Sequence, residues 1–239
     1  MIDLANADNR SIATAFDYSI LAKNTTEAEI REGCRITLQY GFAAFYTSSP
    51  YFSPIVAEEL AGTDIEVGTG IAFPFGSQTP AVKAFETEEA IRRGCTAVDM
   101  VMNIGALQDG DHDTVREELT GFVAAAGSAV TRCILEVNFL SDEQIATGCK
   151  LIAETGVQWA KTSSGQFDGP TLEQFLVMRD TLADTDIKLK VAGVKFPRPQ
   201  NAYVFILAGA ERIGTRAAPE IVDAFDSLRE LGLIPGATE

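Results

Sequence analysis

Only one histidine stands in 239 residues, and that scarcity removes whole classes of chemistry. His112 lies in Asp109-Gly-Asp-His-Asp113, a polar segment that reads as a solvated turn ahead of a helix. A zinc enzyme takes several imidazole ligands, and a Ser-His-Asp hydrolase needs imidazole beside its nucleophile, so neither fits. The four cysteines, Cys34, Cys95, Cys133 and Cys149, are widely spaced and form no Cys-x-x-Cys pair. They read as reduced core residues, neither a disulfide framework nor a metal site. No run of about 18 apolar residues is present, so no membrane span is expected. The opening Met-Ile-Asp-Leu-Ala-Asn lacks a basic stretch followed by an apolar core, so no signal peptide is expected. Positive charge is also scarce: 19 Lys and Arg against 34 Asp and Glu give a net charge of −15. That balance repels nucleic acid and anionic membrane surfaces, so neither is an expected partner. A cytoplasmic setting is the expectation.

What is abundant is apolar: 46% of residues are hydrophobic, enough to bury a substantial core. Candidate strands are Ala13–Phe16, Ala43–Thr47, Ile65–Ala72, Ala97–Met102, Thr131–Val137, Gln158–Thr162, Leu189–Lys195 and Arg212–Thr215. Helical signals fall between them. Thr26-Glu-Ala-Glu29, Ser141-Asp-Glu-Gln144 and Thr171-Leu-Glu-Gln174 have capping-box spacing, while Glu86–Arg93 and Thr114–Ala126 carry helix formers at helical spacing. Gly94, Gly156 and Gly209 sit where helix ends need a left-handed residue. Alternating strands and helices imply a parallel sheet, and eight repeats imply a single α/β domain over residues 1–239, a closed (β/α)8 TIM barrel. A doubly wound open sheet is the runner-up, weakened because no Gly-x-Gly-x-x-Gly follows any strand.

In a (β/α)8 barrel the active site lies at the C-terminal ends of the strands. Those ends offer Asp17 and Ser19, Tyr46 and Thr47, Asp99 and Asn103, Glu136 and Asn138, Lys161 and Thr162, Lys195, and Thr215 with Arg216. The lysines narrow the field. Lys23 and Lys150 lie in polar surroundings, Lys83 follows Thr79-Pro80 near a helix start, and Lys188 and Lys190 open their strand, toward the opposite end. Lys161 and Lys195 alone end apolar strands. An amine there is costly to keep charged, and two close together depress each other's protonation. That is how a neutral, nucleophilic lysine is made for Schiff-base chemistry, since an unperturbed lysine titrates near about 10.4.

The motifs resemble one family. Phe16-Asp-Tyr-Ser-Ile-Leu21 with Thr25-Thr-Glu-Ala-Glu-Ile30 is similar to the opening of deoxyribose-phosphate aldolases, class I aldolases on a (β/α)8 barrel. Ala72-Phe-Pro-Phe-Gly76 and Thr79-Pro-Ala-Val-Lys-Ala-Phe-Glu86 resemble the next segments. Val98-Asp-Met-Val-Met-Asn-Ile-Gly-Ala-Leu107 is the most specific likeness. Ala160-Lys-Thr-Ser-Ser-Gly165 looks like the Schiff-base strand, and Gly193-Val-Lys195 like the second lysine strand. The likeness runs from about Thr14 to Gly214.

The resemblance implies reversible cleavage of 2-deoxy-D-ribose 5-phosphate to glyceraldehyde 3-phosphate and acetaldehyde, with no cofactor and no metal. Lys161 would form the imine, Lys195 would be the neighbouring ammonium, and Asp99 would move protons through a water that Asp17 and Ser19 help to hold. Thr162, Gly165, Gly214 and Thr215 would contact substrate. A homo-oligomer, dimer or tetramer, is compatible with such a barrel.

Two departures concern the far end of the substrate. After Lys195 the family's small-residue stretch with two adjacent glycines reads Phe196-Pro-Arg-Pro-Gln-Asn201, and the stretch after the last strand reads Gly214-Thr-Arg-Ala217. Pro199 has no N–H to offer an anion, and Gln166 stands where some members have lysine. Arg198 or Arg216 could take over by bidentate contact with a phosphate or carboxylate. Two other readings stay open: a Schiff-base enzyme for a non-phosphorylated or carboxylated substrate, and a silent sugar-binding barrel.

Overall fold

The computed structural model describes residues 2–236; Met1 and residues 237–239 lie outside it. Eight short strands close into one parallel barrel in chain order, each hydrogen-bonded to its sequence neighbours and the last to the first. The strands are β1 (Phe16–Ile20), β2 (Ala44–Thr47), β3 (Glu66–Ile71), β4 (Ala97–Val101), β5 (Val130–Ile134), β6 (Trp159–Lys161), β7 (Lys188–Ala192) and β8 (Arg212–Thr215). The helices, in order, are α1 (Asn9–Ala13), α2 (Glu27–Tyr40), α3 (Ser53–Glu59), α4 (Pro80–Arg92), α5 (Ile104–Gln108) and α6 (His112–Ala126). They continue with α7 (Asp142–Glu154), α8 (Leu172–Thr181), α9 (Arg198–Leu207), α10 (Ala218–Asp223) and α11 (Phe225–Glu230).

Local sequence explains the helix boundaries. Thr26, Ser141 and Thr171 each accept from the backbone N–H three residues on, and Glu29, Gln144 and Gln174 reach back to complete the box. Gly41 ends α2 in the left-handed region, at φ 72°. Helix α2 then packs on the barrel through Gly33. A Cβ there would lie 2.6 Å from the Phe45 ring and 2.8 Å from Ile20 Cδ1, so Gly33→Ala would push the helix outward.

Three sequence expectations shift. The fifth strand ends at Ile134 instead of Val137, because Glu136 turns to φ 53°. The first strand runs over Phe16–Ile20 instead of Ala13–Phe16, because Ala13 closes α1, which Asp8 caps. The seventh strand stops at Ala192, where Gly193 takes φ 77°, so Lys195 lies three residues beyond it on an exposed loop. The core divides unevenly. The large apolar core, including Phe16, Phe45, Phe122, Phe175 and Phe225, is outside the barrel wall, between strands and helices. Burying one such side chain stabilises by roughly 1.5–3 kcal/mol. Within the barrel the apolar cluster is small: Ala44, Tyr46 and Ala97, with Leu21 and Val130 against it. Most interiors of this fold are filled by branched aliphatics; this one is filled by charge.

Candidate active site

Every strand sends one ionisable side chain into the interior network: Asp17, Tyr46, Glu66, Asp99, Arg132, Lys161, Lys190 and Arg212, from β1 to β8 in order. Strand periodicity puts them there. Asp99 is the register partner of Arg132, Lys161 of Lys190, and Lys190 of Arg212, and partners on neighbouring parallel strands face the same side. The carboxylates come from β1, β3 and β4, the cations from β5 to β8.

At the centre, Lys161 Nζ lies 2.7 Å from Asp99 Oδ2, and Lys190 Nζ lies 2.8 Å from that same oxygen. Lys190 Nζ is also 2.8 Å from Asp17 Oδ2, whose other oxygen accepts from Arg212 at 2.7 Å. Below them, Arg132 donates to Glu66 Oε2 at 2.6 Å and to the Tyr46 hydroxyl, and stands 3.7 Å from Asp99 Oδ1. The Tyr46 ring faces Lys190 Nζ at 3.8 Å from its centroid. Gly68 makes that possible, because any Cβ there would fall into the Tyr46 ring.

Burial pulls the Lys161 amine down to about 8; the neighbouring Lys190 cation adds to this, and Asp99 and Asp17 oppose it. Burial alone would raise Asp99, but Lys161, Lys190 and Arg132 outweigh it and hold its carboxyl below the usual range. Asp17 is treated likewise: burial raises it, and Lys190, Arg212 and Arg132 together more than reverse that. Such an arrangement can serve an amine nucleophile, with an ionised carboxylate beside it to orient the amine and relay protons.

A small cavity of about 30 Å³ opens on this cluster, lined by Leu21, Tyr46, Thr47, Gly70, Phe73 and Ala192 beside Asp99 and the two lysines. Through Ser19, Leu21, Ser164 and Gly214 it meets a wider outer cavity of about 830 Å³. Gly165, Gln166, Gly193, Lys195, Arg198, Thr215 and Arg216 border the outer cavity, with Asp168 and Glu220 as its acidic members.

The walls are braced from outside. Lys83, fully buried, donates to Glu118 at 2.5 Å and to the Val101 carbonyl at 2.9 Å, and Glu118 accepts from Asn103 N at 2.8 Å. That pair fixes the end of β4 just past Asp99. Glu136 adopts φ 53° after β5 and accepts from Ser164 N at 3.0 Å, which ties down the turn beyond Lys161. Burial raises its carboxyl.

Most expected residues converge here, and some do not. Asp17, Ser19, Asp99 and Lys161 line the inner cavity; Gly165, Arg198, Gly214, Thr215 and Arg216 line the outer one. Thr162 is turned into the wall instead, its hydroxyl accepting from Ala192 N at 3.1 Å. Lys195 is exposed on the outer rim, and the ammonium beside Asp99 is Lys190, which does not lie at the barrel's closed end as expected. With Lys190 in that place, the stretch after the second lysine reads Val191-Ala-Gly-Val-Lys195: small residues, one glycine, and a cation at its end. Phe196-Pro197 and Arg198–Asn201 are the entry to α9. Glu66, Arg132 and Arg212 had no place among the expected residues; strand alternation was the signal for them, since Thr131-Arg-Cys-Ile puts Arg132 on the face opposite Cys133.

No protein-family model matches the chain. It is 38% identical over 214 residues to a deoxyribose-phosphate aldolase of Bacillus cereus (strain AH820), covering 89% of this chain and 95% of that one. It superposes with TM-score 0.83 on the structure of QR15, an aldolase, at 30% identity over 98% of this chain and 100% of the other. The tetrameric deoxyribose phosphate aldolase of Aeropyrum pernix shares the fold, with TM-score 0.84 at 23% identity over 92% and 93% of the two chains. Barrel and site thus define a lyase of the aldolase class. The chain belongs to the deoxyribose-phosphate aldolase family.

Proposed function

We propose that the protein cleaves 2-deoxy-D-ribose 5-phosphate, reversibly, to glyceraldehyde 3-phosphate and acetaldehyde through an imine on Lys161. The observation that carries this reading is the Lys161–Asp99–Lys190 triad, two amines on one carboxylate oxygen. Neutral Lys161 adds to the sugar aldehyde, and the carbinolamine loses water as Asp99 relays protons through solvent held near Asp17 and Ser19. The protonated imine takes the electron pair of the breaking C2–C3 bond, while the C3 hydroxyl gives up its proton as glyceraldehyde 3-phosphate leaves. The enamine gains a proton at carbon, and water releases acetaldehyde and Lys161. Lys190 Nζ stands 2.8 Å from the same Asp99 oxygen and disfavours protonation of Lys161. A positioned proton carrier is worth typically about 10²–10⁴ in rate.

The anionic end of the substrate fits the outer cavity. Gly165 and Gly193 border it at φ 81° and 77°, a backbone in which a side chain would be strained. Lys195, Arg198 and Arg216 supply positive charge there against the chain's acidic total. Assembly as a dimer or tetramer belongs to the same reading, supported by the tetramer named for the Aeropyrum pernix protein and by exposed Val82 and Phe85 on α4. A cytoplasmic setting suits the four free thiols.

Incubation with acetaldehyde and borohydride, followed by mass mapping, tests the mechanism. An adduct on Lys161 is expected, and full retro-aldol activity in Lys161→Ala would overturn it. Comparing turnover of 2-deoxyribose with its 5-phosphate tests the outer cavity; a clear preference for the phosphate is expected.

A further inference from the structure

Arg132 is fully buried beneath the reacting amine and lines neither cavity. Its guanidinium touches Glu66, the Tyr46 hydroxyl and, at 3.7 Å, Asp99, and lies 4.9 Å from the centre of the Trp159 ring. A guanidinium stays protonated in any protein environment, so this charge is permanent.

The groups facing Lys161 from the other strands are Asp17, Tyr46, Glu66, Asp99, Arg132, Lys190 and Arg212, with Glu136 at the end of β5. Among the strand residues of this network three are carboxylates, Asp17, Glu66 and Asp99; Glu136, beyond β5, accepts from Ser164 N, and burial raises its carboxyl toward the neutral form. Each oxygen pair has a cation at hand: Lys190 and Arg212 on Asp17, Arg132 on Glu66, and Lys190 on Asp99. Three cations, Lys190, Arg132 and Arg212, therefore balance three anions, and Tyr46 is neutral. Lys161 is the fourth cation. When protonated it leaves the interior with one uncompensated positive charge; when neutral it leaves none. Of the four, it is also the one that opens on the inner cavity while holding a single carboxylate partner.

We propose that Arg132 is a positioning residue for the reaction: it fixes the charge count of the barrel interior so that Lys161 is the amine whose proton is surplus. The proton passes to solvent at the mouth, leaving the lone pair that attacks the aldehyde. This rests on Lys161 being the imine-forming amine, and the test separates the two claims.

The experiment is a pH profile of kcat/KM for retro-aldol cleavage in wild-type protein, Arg132→Met and Glu66→Gln, with borohydride trapping of acetaldehyde on Lys161 in the same preparations. Removing the cation leaves a carboxylate in excess, so Arg132→Met should move the acid limb upward by about one pH unit. Activity at pH 7 would fall about tenfold and recover in alkali. Removing the anion should do the reverse, and Glu66→Gln should move the limb downward. A merely structural role would lower rates across the profile and leave the limb in place. Limbs that do not move, or that move the same way in both variants, overturn the proposal. If Arg132→Met does not fold, the Glu66→Gln limb decides alone: downward supports it, unmoved or upward overturns it. Absence of a Lys161 adduct in wild-type protein overturns instead the reading on which it rests.

Discussion

Lys161 and Lys190 are register partners on adjacent strands, and their ammonium nitrogens reach the same oxygen, Oδ2 of Asp99, at 2.7 and 2.8 Å. One carboxylate thus holds two amines in place while the amines work against each other's charge.

Removing that carboxylate leaves both amines without their shared partner. Asp99→Asn is expected to lower kcat/KM by about 10²–10⁴, through loss of the proton carrier. It should also lower unfolding free energy by roughly 3–5 kcal/mol, as a buried pair does when one member is deleted. Steady-state kinetics and urea unfolding on one preparation measure both.

The two candidate second lysines separate by substitution. Lys190→Met takes away a cation beside Asp99 and Asp17, so imine formation at pH 7 should slow by more than about tenfold. Lys195→Met leaves the inner cluster intact; it should raise KM for the phosphorylated substrate and change kcat little. Equal effects of the two on kcat would contradict the geometry.

pH dependence follows from the direction of each shift. Lys161 titrates near about 8 when folded, below its unfolded value, so its charged form destabilises the fold. That penalty is fully present below about pH 8 and disappears as pH rises toward the unfolded value of 10.5. Lys161→Met leaves Asp99 paired with Lys190 and should therefore be more stable than wild type at pH 7, with the gap closing in alkali. Asp99 and Asp17 are held below the ordinary carboxylate value of 3.8, so their stabilisation is present above that value and is lost as pH falls below it. Thermal melts from pH 3 to 10 check all three.

The brace behind β4 should behave as a pair. Lys83→Met leaves Glu118 charged and buried, and should cost roughly 3–5 kcal/mol. The double variant with Glu118→Leu should regain much of that, although Asn103 N then lacks its acceptor. A double-mutant cycle in chemical unfolding reads the coupling.

The thiols should be inert. Burial raises Cys34 and Cys149 to about 12 and Cys95 to about 11, with Cys133 pushed up as well. Native protein is expected to react with an aromatic disulfide reagent no faster than it unfolds. Rapid labelling of any one cysteine would show an open path to it.

Fold and chemistry were legible in the sequence to different depths. Capping boxes at Thr26, Ser141 and Thr171 are short-range signals, and each forms as spelled. Lys161 was visible because an apolar strand ends on it. Lys190 was not, because it lies inside a strand, where no apolar run ends on it. Alternation held the answer: Leu189 and Val191 join the apolar core, so Lys190 between them must face inward. Arg132 was hidden in the same way between Thr131 and Cys133. Gly193 shows why the strand's end was misplaced: Leu189–Lys195 looks continuous until one residue takes a left-handed conformation, which composition alone does not announce. The contact of Arg132 with Glu66, 66 positions apart, depends on barrel closure, which no local pattern encodes.

The strand-by-strand sorting of charge has a consequence for how the chain could be divided. All three interior carboxylates lie in the half containing β1–β4, and all four interior cations in the half containing β5–β8. Each half alone would present a face of like charge, which repels its own copies. Cut at Gly127, between α6 and β5, the chain would yield two fragments of opposite inner polarity, each with the other as its matched complement. The pair would reassemble as a heterodimer, weakened by added salt, and neither piece would form a symmetric barrel from two copies of itself.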